Sequence, residues 1–147
     1  MRYNPADYAH RTALATGIAN TIKAKGFQQV AVAGCYEDVY ALPVTGRVQV
    51  RVYTSVEAGI VRDCGDDAIR VCTVYSTRDG GVRGVGHETR VNRVGDINGI
   101  VVRLAERIAQ SLEGAEKIDR CPDCGAPKFK SKKGNWVCAD LCWKQRW

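Results

Sequence analysis

Between Asn4 and Gly26 the apolar residues Leu14, Ala15, Ile18 and Ile22 recur every three or four positions, which predicts a helix with those side chains on one stripe. Asn4 is placed to cap it, Pro5 suits its first turn, Asp7 favours its positive end and Gly26 terminates it. The period then shortens to two. FQQVAVAG, residues 27–34, predicts a strand, whereas EDVYALPVTG, residues 37–46, predicts a loop or short edge piece because Pro43 removes a backbone donor. Across RVQVRVYTSV, residues 47–56, Arg47, Gln49, Arg51 and Tyr53 project to one side and Val48, Val50, Val52 and Thr54 to the other. A turn at Cys64–Asp67, a strand over Ala68–Thr77, a hairpin turn at Asp79–Gly80–Gly81 and a further strand from Val82 follow. Helical spacing resumes after Asp96, a capping residue. Ile97, Ile100, Val101, Leu104, Ile108 and Leu112 face the sheet, Arg103, Glu106, Arg107 and Gln110 face outward, and Gly114 is the expected stop.

The order helix, antiparallel strands, helix makes this an α+β fold: an antiparallel sheet flanked by N- and C-terminal helices on one face. A chain of 147 residues can bury one core of about 100 residues and carry a small appendage. The expected division is an α+β domain over residues 1–114 and a cysteine-rich ribbon over 115–147. No apolar run approaches the roughly 20 residues that span a bilayer, and the N-terminus lacks the features of an export signal, so a cytoplasmic, intracellular protein is expected.

Seven cysteines are an odd number, and Cys35, Cys64 and Cys72 are scattered, which suits a reducing compartment and structural thiols. The other four are not scattered. Cys121-x2-Cys124 and Cys138-x3-Cys142 place two sulfur pairs on two knuckles, the arrangement that gives structural Zn²⁺ a closed four-thiolate shell. Pro122 and Gly125 make CPDCG a tight turn. His87–Glu88 upstream does not complete a deaminase signature, because the two residues are adjacent and the proline follows the first cysteine.

Formal charge is +6, reduced to about +4 if four thiolates hold a zinc ion. Its distribution matters more. Residues 47–107 carry ten arginines and no lysine, while the ribbon clusters Lys128, Lys130, Lys132 and Lys133 around Phe129 and just before Trp136. Cations interleaved with aromatic rings suit single-stranded nucleic acid, whose unpaired bases stack while phosphates meet the charges. Trp136 is expected to pack inside the ribbon, which has little else for a core. For Phe129, Trp143 and Trp147, packing on the main body and stacking on a ligand stay equally open.

CPDCGAPKFKSKKGNWVCADLCW, residues 121–143, resembles the C-terminal zinc ribbons of bacterial type I topoisomerases, with their CPxCG start, basic middle and aromatic before the third cysteine. That resemblance implies structural zinc and single-stranded DNA binding. Over roughly residues 47–110 the chain resembles the Rad-fifty-two type of strand-annealing protein, through Val74, Asp79, Gly80, Gly84 and Gly86 in a strand, charged glycine turn and glycine-containing strand. This implies oligomeric rings or filaments with single-stranded DNA in an outer groove, contacted by residues such as Arg51, Arg103 and Arg107. The lysine-rich helix and aromatic-rich first strand of that family are absent here.

Independently of either likeness, a guanidinium can hold two phosphate oxygens at once, so Arg47, Arg51 and Tyr53 on one face, with Arg70 beside them, can form a backbone track. Arg83, Arg90 and Arg93 are further candidates, as are Arg103 and Arg107, one turn apart on the second helix. The plainer alternative pairs these arginines with surface acids. The resulting expectation is a non-enzymatic protein that binds or anneals single-stranded DNA in recombination, repair or replication, compact enough to suit a phage gene product in a host cytoplasm. Its contacts would be the arginines above with Lys128, Phe129, Lys130, Lys132, Lys133 and Trp143. The alternatives are a metal-dependent nuclease built on Asp63, Asp66, Asp67, Glu37, Asp38 and Glu88, and an adaptor whose ribbon docks on a replication or recombination protein.

Overall fold

A computed structural model of the chain describes residues 5–32, 38–54, 68–86, 88–93 and 95–141. Helix α1 (Pro5–Ala24) is followed by strands β1 (Gln28–Val30), β2 (Asp38–Thr45), β3 (Val48–Thr54), β4 (Ala68–Ser76), β5 (Val82–Gly84) and β6 (Thr89–Asn92), then helix α2 (Ile97–Glu116) and a hairpin of β7 (Lys128–Lys130) and β8 (Trp136–Cys138). The first six strands form an antiparallel sheet in the order β1-β2-β3-β4-β5, with β6 also paired to β4. The expected α+β class and flanking helices are present.

Strict alternation in β3 decides which face is covered. Val48, Val50, Val52 and Thr54 are buried, and the three valines share one core with Tyr40, Ile69, Val71, Tyr75 and Val91 from neighbouring strands. The same core holds Leu14, Ala15, Ile18 and Ile22 of α1 and Ile100, Leu104 and Ile108 of α2, so both predicted helical stripes face it. A Cβ on Gly17 would stand 3.3 Å from the Val101 methyl and 3.4 Å from that of Ile97, so glycine lets the two helices close on each other. Asp96 caps α2 through a 3.0 Å bond from the Gly99 N–H to its Oδ1.

Several expectations change. β2 is an eight-residue strand between β1 and β3, where a loop or short edge piece was expected around Pro43. Proline is tolerated because β1 pairs only as far as Ala41, so no β1 residue lies opposite position 43, and the β2–β3 register slips between Pro43 and Thr45. The strand expected over 27–34 is only three residues long. α2 runs through Gly114 to Glu116, because Ala115 is buried and anchors the last turn. The predicted strand from Val82 is divided in two. β5 and β6 pair with opposite ends of β4, and extra residues between them, including Gly86 at φ +74°, displace the register.

Truncating Leu104 to Ala should cost about 2–5 kcal/mol, because it leaves a cavity between α2 and the sheet. The same change at Val102, 55% exposed on the opposite side of α2, should stay within about 0.5 kcal/mol. Urea denaturation of the two variants checks the contrast.

Candidate metal centre and the cationic surfaces around it

Two knuckles bring the sulfur atoms together. In the first, the Gly125 N–H returns to the Cys121 carbonyl at 2.9 Å, with Gly125 at φ +78°. In the second, the Leu141 N–H returns to the Cys138 carbonyl at 3.0 Å, and Leu141, at φ +48°, takes the left-handed conformation without being glycine. The Sγ atoms of Cys121, Cys124 and Cys138 all lie within 4.8 Å of one another. Cys124 and Cys138 are 3.4 Å apart, too long for a disulfide at about 2.05 Å and near the roughly 3.8 Å edge of a tetrahedron with 2.3 Å metal–sulfur bonds. The three cysteines can hold a metal ion. Cys142, expected as the fourth ligand, lies outside the described residues, as does Trp143.

The centre is welded to the main body. Cys121, Ala126 and Cys138 belong to the same core cluster as the sheet and helices. Gly46 and Arg47 form the two-residue turn between β2 and β3, with Gly46 at φ +54° in the first position, as a type II′ hairpin requires. A Cβ on Gly46 would meet the Gly125 carbonyl oxygen at 3.4 Å, so the turn rests on the first knuckle.

Arg47 was expected on the sheet face beside Arg51. It sits instead in this turn, where the chain leaves the strand alternation, and its side chain reaches the ribbon. Its Nε donates to the Ser76 carbonyl at 2.7 Å and its Nη2 to Asp140 Oδ2 at 2.8 Å. Arg78 Nε lies 3.4 Å from the same carboxylate oxygen. Burial works against the Arg47 charge, but the hydrogen bond and charge of Asp140, with a further contribution from Cys124, raise its pKa above the ordinary value. Asp140 and Arg78 were not singled out from the sequence. Asp140 is 93 positions from Arg47, and nothing local in either segment announces the pairing.

The remaining predicted residues divide into three places. Arg51, Tyr53 and Arg70 share the sheet face opposite the helices: Tyr53 pairs with Arg70 across the strands, and the Arg70 guanidinium lies 4.7 Å from the Tyr53 ring centroid. Arg51 Nε donates to Gln49 at 3.0 Å, and Arg70 lies 3.6 Å from Glu88. Val39, Ala41 and Val74 fall on this same face and are buried, so it is not a continuous polar track. Arg103 and Arg107 stand elsewhere, on the exposed side of α2, where they line a cleft of about 340 Å³ with Arg90, Val91 and Asn92. Arg83 pairs with Tyr75, which puts it on the helix side of the sheet, away from Arg51.

The third place is the ribbon hairpin. Lys130, Lys132 and Lys133 are exposed and Lys128 is half-buried. Phe129 is 47% exposed, and Trp136, expected inside the ribbon, is 61% exposed. The reason lies in how the ribbon is closed. Cys138 must face the metal centre, and the interior is filled by Cys121, Ala126 and Cys138 packed on the main core, so no ring is needed there. Trp136 pairs with Lys130 at the far end of the hairpin, and Phe129 pairs with Val137 on its other face.

Of the carboxylates considered for a nuclease, Glu37, Asp63, Asp66 and Asp67 lie outside the described residues. Glu88 is engaged by Arg70 and by Arg90 at 3.0 Å, and Asp38 accepts from Gln29. Among the described residues no helix is long and apolar enough to cross a membrane. No family model matches the chain, no curated protein matches its sequence and no solved structure matches its fold.

Cys72 lies on the Arg51 side of the sheet. Burial, reinforced by Glu88 and opposed by Arg70 and Arg51, pushes its thiol up to about 11 from the ordinary 9.0. The folded state therefore holds this proton more tightly than the unfolded chain does. Its contribution to stability is constant below about pH 9 and is lost as pH rises through about 11. Stability should accordingly fall less steeply over that window in Cys72→Ala, as read from urea midpoints. Arg47→Ala removes a partner of both Asp140 and Cys124, and it should weaken metal binding by roughly 10–100-fold in competition with a chelator. Arg51→Ala, on the far face, should leave metal binding unchanged.

Proposed function

We propose that the protein binds single-stranded nucleic acid without cleaving it, using the ribbon hairpin as its stacking platform and a structural zinc ion to hold that hairpin in shape. The observation that carries this reading is the exposure of Trp136 beside Lys130. Leaving a large ring in water forgoes a burial worth about 1.5–3 kcal/mol for a large apolar side chain, and packing inside the ribbon does not require its exposure. Residues directly opposite in an antiparallel pair have Cβ atoms about 4.5–5.5 Å apart, so a base lying on the indole would bring its phosphate within reach of the Lys130 ammonium. Lys132 and Lys133 add cations at the hairpin tip, and Phe129 presents a second exposed ring on the hairpin's other face.

Zinc is the metal that best suits this donor set. Three clustered thiolates with a fourth cysteine in the sequence form a soft, all-sulfur shell, which favours zinc over the oxygen-seeking cations. Among the described residues the cluster is all cysteine, without histidine or carboxylate, which suits a closed structural site better than a catalytic one with an open position. The Arg47 charge, which Cys124 helps to hold, would offset part of the negative charge that four thiolates confer.

Fluorescence anisotropy with labelled single-stranded DNA tests the reading. Trp136→Ala should weaken binding by about 1–3 kcal/mol, or roughly 5–150-fold, with little change in urea stability. Changing Lys130, Lys132 and Lys133 together to Gln should flatten the salt dependence by about 0.7 for each phosphate that these lysines neutralise. Native mass spectrometry should find one zinc ion per chain, absent in Cys121→Ser. Unchanged affinity in Trp136→Ala, or binding that ignores salt, would remove the hairpin from nucleic-acid recognition and favour an apolar protein contact at the same rings.

A further inference from the structure

The second cationic place in the molecule has a chemistry of its own. Arg103 and Arg107 are four residues apart on α2 and therefore stand one above the other, with Cβ atoms about 5–6 Å apart. They look across at β6, which among the described strands pairs with β4 alone, and Arg90 and Asn92 of β6 complete the cleft with Val91. Arg103 Nη2 donates to the Asn92 carbonyl at 3.3 Å, a bond that ties the side chain across the gap between helix and strand. Arg107 Nη1 donates to Gln110 at 3.4 Å, and Arg90 is bonded to Glu88. A guanidinium carries five N–H donors in a flat fork, so arginines oriented by such bonds keep the capacity to meet an oxyanion. Among the described residues the cleft is lined by Arg103 and Arg107 with Arg90, Val91 and Asn92, and by no aromatic ring; the Glu88 carboxylate is taken up by Arg90.

We infer that this cleft is a phosphate-binding site and that the phosphate it takes belongs to the backbone of the polynucleotide held by the ribbon. Arg103 and Arg107 set two like charges side by side on one wall, and an anion between them relieves their repulsion, whereas Arg90 lies opposite Arg70 in the sheet and is paired with Glu88. Without a ring to stack on, a base has no place there, so the recognised group is the phosphate. Arg107 lies nine residues before the end of α2, about 14 Å along the helix axis, and the ribbon begins beyond that end. Cleft and hairpin are thus separate contacts for one strand. Linking two weak contacts raises affinity through effective concentration, with no new contact at either. The source of the phosphate rests on the reading of the hairpin given above; the presence of an oxyanion site does not.

Two measurements on the full chain separate these parts. First, inorganic pyrophosphate is titrated into ¹⁵N-labelled protein. Saturable shifts confined to amides of β6 and of α2 up to about Arg107, and abolished in the double variant Arg103→Gln, Arg107→Gln, are expected. Both positions are exposed, so the variant should keep the wild-type thermal midpoint. Second, single-stranded DNA binding is compared between the wild type and the same variant. The variant should bind more weakly, and its salt slope should fall by about 1.4, the counterion release expected from two phosphates of a single strand. Shifts that are absent, or scattered over all the arginines, overturn the site while leaving the hairpin reading intact. Localised shifts with unchanged DNA affinity overturn the backbone as the phosphate source. Localised shifts with no DNA binding by the wild type defeat the hairpin reading and leave the cleft as a site for small phosphates.

Discussion

The two-residue turn between β2 and β3 governs how this molecule is put together. Gly46 lets the backbone reverse and lie against the Cys121–Gly125 knuckle, and Arg47 carries a guanidinium across to Asp140 and Cys124 on the ribbon. A hydrogen bond to a charged partner is worth about 1.5–3 kcal/mol when it is partly shielded from water, and both side chains here are largely covered. The same arginine holds the Ser76 carbonyl at the end of β4, so strand, turn and metal knuckle meet at one cation. A cysteine ribbon of about 25 residues has too little apolar content to fix its own orientation. Here the orientation is supplied by the main body, because Cys121, Ala126 and Cys138 complete a core that the sheet and helices began.

That attachment shapes the surface as well. With its interior closed against the main core, the ribbon turns its rings outward, and Trp136 and Phe129 stand in water beside lysines. Charge is arranged in the same spirit on α2, where Arg103 and Arg107 line a cleft against β6. The arginines of the outer sheet face are organised differently. Arg70 is held by Tyr53 and Glu88, Arg51 by Gln49, and buried apolar side chains interrupt the face between them. Among the described residues the proposed function and the phosphate cleft draw on two cationic places, one around the middle of α2 and one beyond its end.

Alternation and helical spacing made most of the main body legible. The apolar residues of both helices, the inward valines of β3, the Asp96 cap and the Asp79–Gly81 turn each follow from local rules that act within a few residues, and tertiary packing agrees with them. Pro43 is where a local rule failed. Proline weakens a strand only if its missing donor has a partner waiting, and whether one waits depends on how far β1 extends. Gly114 failed similarly, since a glycine stops a helix only when nothing beyond it needs burying, and Ala115 does.

By itself the sequence determined that Cys121, Cys124 and Cys138 would gather, through their paired spacing, together with the α+β class and the buried faces of β3 and the two helices. These depend on period and short-range geometry, which the chain carries wherever it goes. Tertiary structure alone decided that Arg47 serves the ribbon, that Trp136 faces water, and that Arg90 joins Arg103 and Arg107 at one cleft. Each of those outcomes depends on which distant segment arrives opposite a side chain. A long cationic or aromatic side chain is equally at home against an acid, a ring or solvent, so its residue type cannot announce which neighbour it will meet.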